Sequence, residues 1–159
     1  MSKPTSLLLL LLVVAACASN RGVVDADHTG PAIFRYADLG SRGHIVLGEP
    51  LRQRDRLGVD AGENAYHVLG WYTGTEGITV YSDEENRVTA MRFEYGPEQD
   101  FEVQLAEYTT LLGPPDRHDR NDEVETVMWS DGATQFELVR RFEPNQESYS
   151  VLRDLETNR

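Results

Sequence analysis

Residues Met91 to Tyr95 read Met-Arg-Phe-Glu-Tyr, with Met91, Phe93 and Tyr95 alternating with charged Arg92 and Glu94. Successive side chains of a strand point to opposite faces, so this period of two sets one dry face against one wet face. A sheet covered on a single side is the solution such a pattern demands. Ile78 and Val80 behave alike, and Asp83-Glu84-Glu85-Asn86 turns the chain between these two strands. Farther on, Val124 to Trp129 and Ala133 to Phe142 flank Ser130-Asp131-Gly132, a hairpin turn signal. A last strand is expected over about Ser148 to Leu155, after the Glu143-Pro144-Asn145 turn.

Helical periodicity is clearest from Pro97 to Leu112. Phe101, Leu105, Tyr108 and Leu112 step by four, three and four, which draws one apolar stripe. Asp100 or Gly96 can cap its start, and Gly113-Pro114-Pro115 stops it. A weaker helix is expected over Glu49 to Leu57, closed by Gly58. Pro31 to Gly40 suits a short helix by its terminal Pro and Gly, and a strand fits it nearly as well.

An offset of 58 residues sets Trp71 on Trp129, Gly74 on Gly132, Ile78 on Phe136, Val80 on Leu138, Met91 on Tyr149 and Phe93 on Val151. Each half, 44–95 and 97–155, then reads as a helix followed by three strands. One such unit buries too little alone, whereas two side by side share a core. Two unrelated amphipathic hairpins would also match half the time by period alone. The expected fold is α+β: an antiparallel sheet of about six strands from two helix–strand–strand–strand repeats, helices packed on one face.

The 159 residues suffice for one domain, and 40% hydrophobic with 26% charged residues is a globular balance. The formal net charge of −12 repels nucleic acid and anionic lipid, so nucleic-acid binding is set aside. It suits a basic protein partner, and also simple solubility. Cys17 is the only cysteine, which excludes an internal disulfide, a CxxC pair and a multi-thiolate zinc site.

Cys17 closes an N-terminal pattern. Lys3 precedes the ten apolar residues Leu7 to Ala16, a signal-peptide length; a membrane-spanning helix needs about 20 residues. Val14-Ala15-Ala16-Cys17 resembles a bacterial lipobox: an aliphatic residue, two small ones, then the cysteine. Small side chains let a peptidase approach the scissile bond, and the thiol takes the lipid as a thioether. The resemblance implies a signal peptide over 1–16, a lipidated tether over 17–29 with Cys17 acylated, and a domain over 30–159. Two or three acyl chains hold firmly, since each buried CH₂ contributes about 0.8 kcal/mol. Cleavage after Ala18, giving a secreted protein, and a buried cytosolic cysteine are the competing readings. Ala18 and Ser19 lack the aspartate that resembles an inner-membrane retention signal, which favours the periplasmic side of the outer membrane in a Gram-negative host.

A helix–strand–strand–strand unit behind a lipobox resembles the envelope lipoproteins of the SmpA/OmlA (BamE) type. Its doubling resembles the tandem-repeat β-lactamase-inhibitor-protein fold. Gly48 to Leu57-Gly58 is similar in outline to the helix between two glycines that opens the SmpA/OmlA unit, although Glu49-Pro50 stands where that family has other residues.

No residue set carries chemistry. His28, His44, His67 and His118 form no HExxH and no close pair. His67 reads as a hydrogen-bonded strand histidine. His118 sits in an acidic loop whose Arg117 and Arg120 compete with any cation. Asp83-Glu84-Glu85 are turn carboxylates in water, poor acid–base catalysts. No catalytic residue, metal site or cofactor is assigned. Trp71 and Trp129 carry two readings: core residues, or, with Tyr72 and Tyr81, an aromatic protein-binding surface. The function expected is that of a non-enzymatic envelope lipoprotein, membrane-bound through its acyl chains, that binds another envelope protein in a scaffolding or assembly role. The alternative is an inhibitor of a secreted or periplasmic hydrolase of lysozyme or β-lactamase type.

Overall fold

A computed structural model describes residues 30–52, 58–68, 75–143 and 148–156. Ten strands and one α-helix are built from them. A small sheet pairs β1 (Tyr36–Asp38) with β2 (His44–Val46), linked through a 3₁₀ turn at Gly40–Arg42. The main sheet holds β3 (Gly58–Gly62), β4 (Ala65–Val68), β5 (Gly77–Ser82), β6 (Val88–Glu94), β7 (Arg117–Arg120), β8 (Val124–Ser130), β9 (Thr134–Arg141) and β10 (Tyr149–Asp154). Their spatial order is β3-β4-β5-β6-β10-β9-β8-β7, antiparallel throughout. Two four-stranded meanders therefore meet at their last strands, β6 and β10.

This overturns the expected α+β fold of about six strands with two repeated helices on one face. The main sheet has eight strands, and among the described residues one α-helix, α1 (Phe101–Leu112), packs on it. The expected helix over Glu49 to Leu57 fails at its start. Pro50 bridges Arg87, and the Leu51 amide donates to the Asn86 carbonyl, so the chain there is extended against the sheet. Residues 53–57 of that stretch lie outside the described residues.

Something else does the second helix's work. The segment from Ile33 to Leu51, which carries the β1–β2 hairpin, buries Ile33, Ala37, Leu39, Ile45, Leu47 and Leu51 in the same core as Ile78, Val80, Val88, Met91 and Phe93 of the sheet. Its amides join it to the sheet: Gly48 donates to the Val88 carbonyl and Ile33 to Asp131 Oδ2, each at 2.8 Å. Arg35 bridges to Asp154 Oδ1 at 3.1 Å and donates to the Ala133 carbonyl at 3.2 Å. One face of the sheet is thus covered by α1 and by this N-terminal arm.

The 58-residue offset holds in one strand and breaks in the next. Ile78 and Phe136 are both buried on the covered face, as the offset requires. In β10, however, Phe93 lies opposite Ser150, and Val151 lies opposite Arg92 on the other face. The slip is one residue, and with a side-chain period of two that exchanges the faces. A bulge contributes: Tyr81 pairs with Ala90 and Ser82 with Val88, leaving Thr89 extra, so Val88 and Met91 both face the core.

Candidate functional site

α1 is set by its caps. Asp100 accepts from the amides of Glu102 and Val103, and Gly113, at φ +87°, ends the helix with its amide on the Thr109 carbonyl. Its apolar stripe, buried at Phe101 and Leu112 and partly buried at Leu105 and Tyr108, packs on the core, with Tyr108 against β8 and β9. Tyr108 meets the Phe136 ring at 4.5 Å between centroids and Trp129 at 6.4 Å. The arm lies alongside, with Phe34 at 5.4 Å from the same Phe136 ring.

Helix and arm do not meet along their whole length, and between them runs a groove of about 560 Å³. Its floor is Phe93, Tyr95 and Phe136 of the sheet. One wall is Pro31, Ala32, Phe34 and Tyr36, and the other is Gln104, Glu107, Tyr108, Leu111 and Leu112 of α1. Apolar clefts of 300 to 1,000 Å³ with a few convergent polar groups are the ordinary form of a binding site. Tyr36 and Leu111, exposed by 52% and 57%, stand on the arm and helix sides, so apolar surface continues onto both rims.

Two polar features lie in this apolar setting. Tyr95 Oη hydrogen-bonds Tyr108 Oη at 2.8 Å and Ser150 Oγ at 2.6 Å, a chain of three hydroxyls running from groove to sheet. Gln104, only 5% exposed, lines the groove, and its Oε1 has no hydrogen-bond partner among the described residues. Leaving a buried acceptor unmade costs about 1–3 kcal/mol. Glu107 is the one charged residue among the described residues lining the groove.

A second polar cluster lies near the start of α1. Glu125, a buried carboxylate, accepts from Arg140 and from His118 Nε2, the latter at 2.8 Å, with Arg120 at 3.6 Å. Arg140 also bonds Glu102 of α1 at 2.9 Å and lies 4.3 Å over the Phe101 ring. Burial alone would raise the Glu125 pKa, but the hydrogen bonds from Arg140 and His118 and the charges of Arg140 and Arg120 hold it below the ordinary carboxylate value. Arg140 in turn is raised, burial being outweighed by its two carboxylate partners. This cluster fastens α1 to β8 and β9; it is structural ion pairing.

The sequence-derived site residues scatter. Trp129 is fully buried on the covered face, where its Nε1 donates to the Gly113 carbonyl at 2.9 Å. The core reading is its place, and it joins no surface. Tyr81, half-buried, lies opposite Ala90 on the uncovered face of the sheet, so the two aromatics are on opposite sides. Trp71, Tyr72 and Cys17 lie outside the described residues. His67 is in β4, with Nδ1 hydrogen-bonded to Thr79 Oγ1 at 2.9 Å. His118 is on the edge strand β7, where a loop was expected, and His44 is in β2 beside Asp38 at 3.4 Å. Among the described residues, no group of three or more His, Cys, Asp or Glu could hold a metal ion. No described helix is long and apolar enough to cross a membrane.

Sequence reasoning missed the groove. The one available signal was Gln104, a polar residue at a position that the spacing of Phe101, Leu105 and Tyr108 buries.

No family model and no curated relative matches the chain. A solved structure of a DUF4309 family protein (YjgB) from Bacillus subtilis subsp. subtilis str. 168 is similar at 18% identity over 68% of this chain and 72% of that chain, with a TM-score of 0.40. A likeness that distant bears on neither fold nor function.

Proposed function

We propose that this chain is a non-enzymatic, lipid-anchored protein of the cell envelope whose domain holds another envelope protein. The observation that carries the reading is the groove between α1 and the N-terminal arm, whose lining is aromatic and aliphatic apart from a few polar groups. Such a lining is suited to desolvating a partner's apolar side chains. The anchor rests on the lipobox-like Val14-Ala15-Ala16-Cys17. With Cys17 acylated, the domain works at a membrane surface, on the periplasmic side of the outer membrane in a Gram-negative host. The net charge of −12 favours a basic partner by steering its approach.

A photo-crosslinking residue at Leu111, on the helix side of the groove, tests the docking role in living cells. An envelope protein crosslinked from Leu111 and not from Val59, exposed on the distant strand β3, supports it. Equal labelling from both positions overturns it. If the captured protein is a hydrolase that loses activity at equimolar dose, the inhibitor role takes its place. For the anchor, Cys17→Ser should move the protein from the membrane fraction to the soluble fraction, and unchanged fractionation refutes it.

A further inference from the structure

We infer that the groove takes an extended apolar polypeptide segment with a cationic residue toward Glu107, and that Gln104 reads a backbone N–H of that segment. This rests on the protein-docking role proposed above and names the chemistry of the partner.

Three observations converge. First, the half-buried rings of Phe34 and Tyr108 stand over the buried Phe93 and Phe136, beside an exposed aliphatic rim at Leu111, which suits branched or aromatic side chains. Second, Gln104 is an amide 95% buried in that apolar setting, with an Oε1 that accepts from none of the described residues. The last torsion of glutamine is broad, so its carbonyl can turn toward the groove without leaving its rotamer. A peptide group supplies the complement, an N–H for the carbonyl and a C=O for the side-chain NH₂. Third, among the described lining residues the only charge is the carboxylate of Glu107, one turn along α1 from Gln104, in a chain of net charge −12. A Lys or Arg there completes an ion pair at the groove's edge, whereas an acidic residue is repelled.

Size agrees. From Gln104 to Leu112 the helix rises about 12 Å. An extended chain covers that distance in about four residues. The predicted ligand is therefore a short apolar stretch of a basic protein, bound by side-chain burial and one read amide.

Synthetic peptides with an apolar core, flanked by lysines or by glutamates, test this against the full-length chain in detergent by fluorescence anisotropy. The lysine-flanked series should bind at least tenfold more tightly. Replacing backbone amides one at a time by N-methyl amides should weaken binding about tenfold at one position. In Gln104→Met, which keeps the shape and removes the acceptor, that position should lose its effect while the thermal midpoint holds or rises. A merely structural glutamine would not erase a ligand's methylation pattern. If peptides bind but the pattern is identical in Gln104→Met, the assignment to Gln104 is wrong. If glutamate-flanked peptides bind equally well, the role of Glu107 is wrong. If no peptide binds at millimolar concentration while Leu111 still crosslinks an envelope protein, the extended-segment inference fails and the docking role stands. Failure of both assays removes both.

Discussion

At the scale of single residues, Trp129 and Glu125 test the packing. Trp129 is fully buried between Tyr108 and Phe136 and closes the Gly113 carbonyl at the end of α1. Trp129→Ala should cost about 3–5 kcal/mol in urea denaturation. Trp129→Phe keeps most of the ring contact and loses one hydrogen bond, so about 1 kcal/mol is expected, plus a small cavity term. Glu125 sets an acid limb. Its folded pKa lies below its ordinary value of 4.5, so the stability it contributes is complete above about pH 4.5 and is lost as pH falls through the folded value. Glu125→Gln should therefore lower stability at pH 7 and flatten its fall below pH 4.5. An unchanged acid limb would show that other carboxylates set it. His118, the partner at 2.8 Å, could not be read as such from sequence, because nothing in Arg117-His118-Asp119-Arg120 alternates.

At the scale of elements, legibility followed periodicity. α1 was readable to within a residue at its C-terminal end, because stripe, cap and stop agree: Phe101 to Leu112, Asp100 and Gly113. Removing the cap in Asp100→Ala should cost about 1 kcal/mol, measured as a lower midpoint in thermal unfolding. The β8–β9 hairpin was equally plain, since Ser130-Asp131-Gly132 turns between two apolar runs, with Asp131 Oδ1 accepting from the amides of Ala133 and Thr134. β7 was illegible: all four residues are exposed, so no face is marked. Short charged edges like this one resist pairing with other chains. The β1–β2 hairpin was blurred for another reason. Pro31 and Gly40 imitate helix punctuation, and strands of three residues are too short to show a period. Gly58 reads as a helix stop in the sequence, yet it begins β3, where an added Cβ would stand 1.7 Å from the His67 carbonyl oxygen. Gly58→Ala should disrupt β3–β4 pairing, visible as faster amide exchange at the β4 backbone.

At the scale of the whole molecule, the sheet's two faces divide the labour. The covered face holds the apolar core and the groove. The uncovered face is a lattice of polar and ring contacts, with Arg92 4.0 Å over the Tyr149 ring and Arg153 bonded to Glu137 at 3.3 Å. The arm is the less secure of the two covers, since Arg35 carries much of its polar attachment. Arg35→Ala withdraws the guanidinium from Asp154, a carboxylate only 2% exposed, and should cost about 1–3 kcal/mol. Limited proteolysis should then cut first within residues 30–52, and cleavage elsewhere would place the weak point outside the arm. The correct layering, apolar side in and charged side out, was legible from Met91 to Tyr95. The identity of the cover was not, because a hairpin and a helix can bury the same area.

The place of β10 has a consequence in time. β10, the last of the described strands, is seated between β6 and β9, in the middle of the sheet, with Ser150 beside both Phe93 and Leu138. Until residues 149–154 are in place, β6 and β9 lack the strand that joins the two halves of the sheet. Pairing of such long sequence separation is slow to form. For folding, that ordering acts as a clock: the sheet cannot close until β10 has been seated between β6 and β9. Removing residues 148–159 should leave a chain with no cooperative unfolding transition by circular dichroism, however intact its first meander.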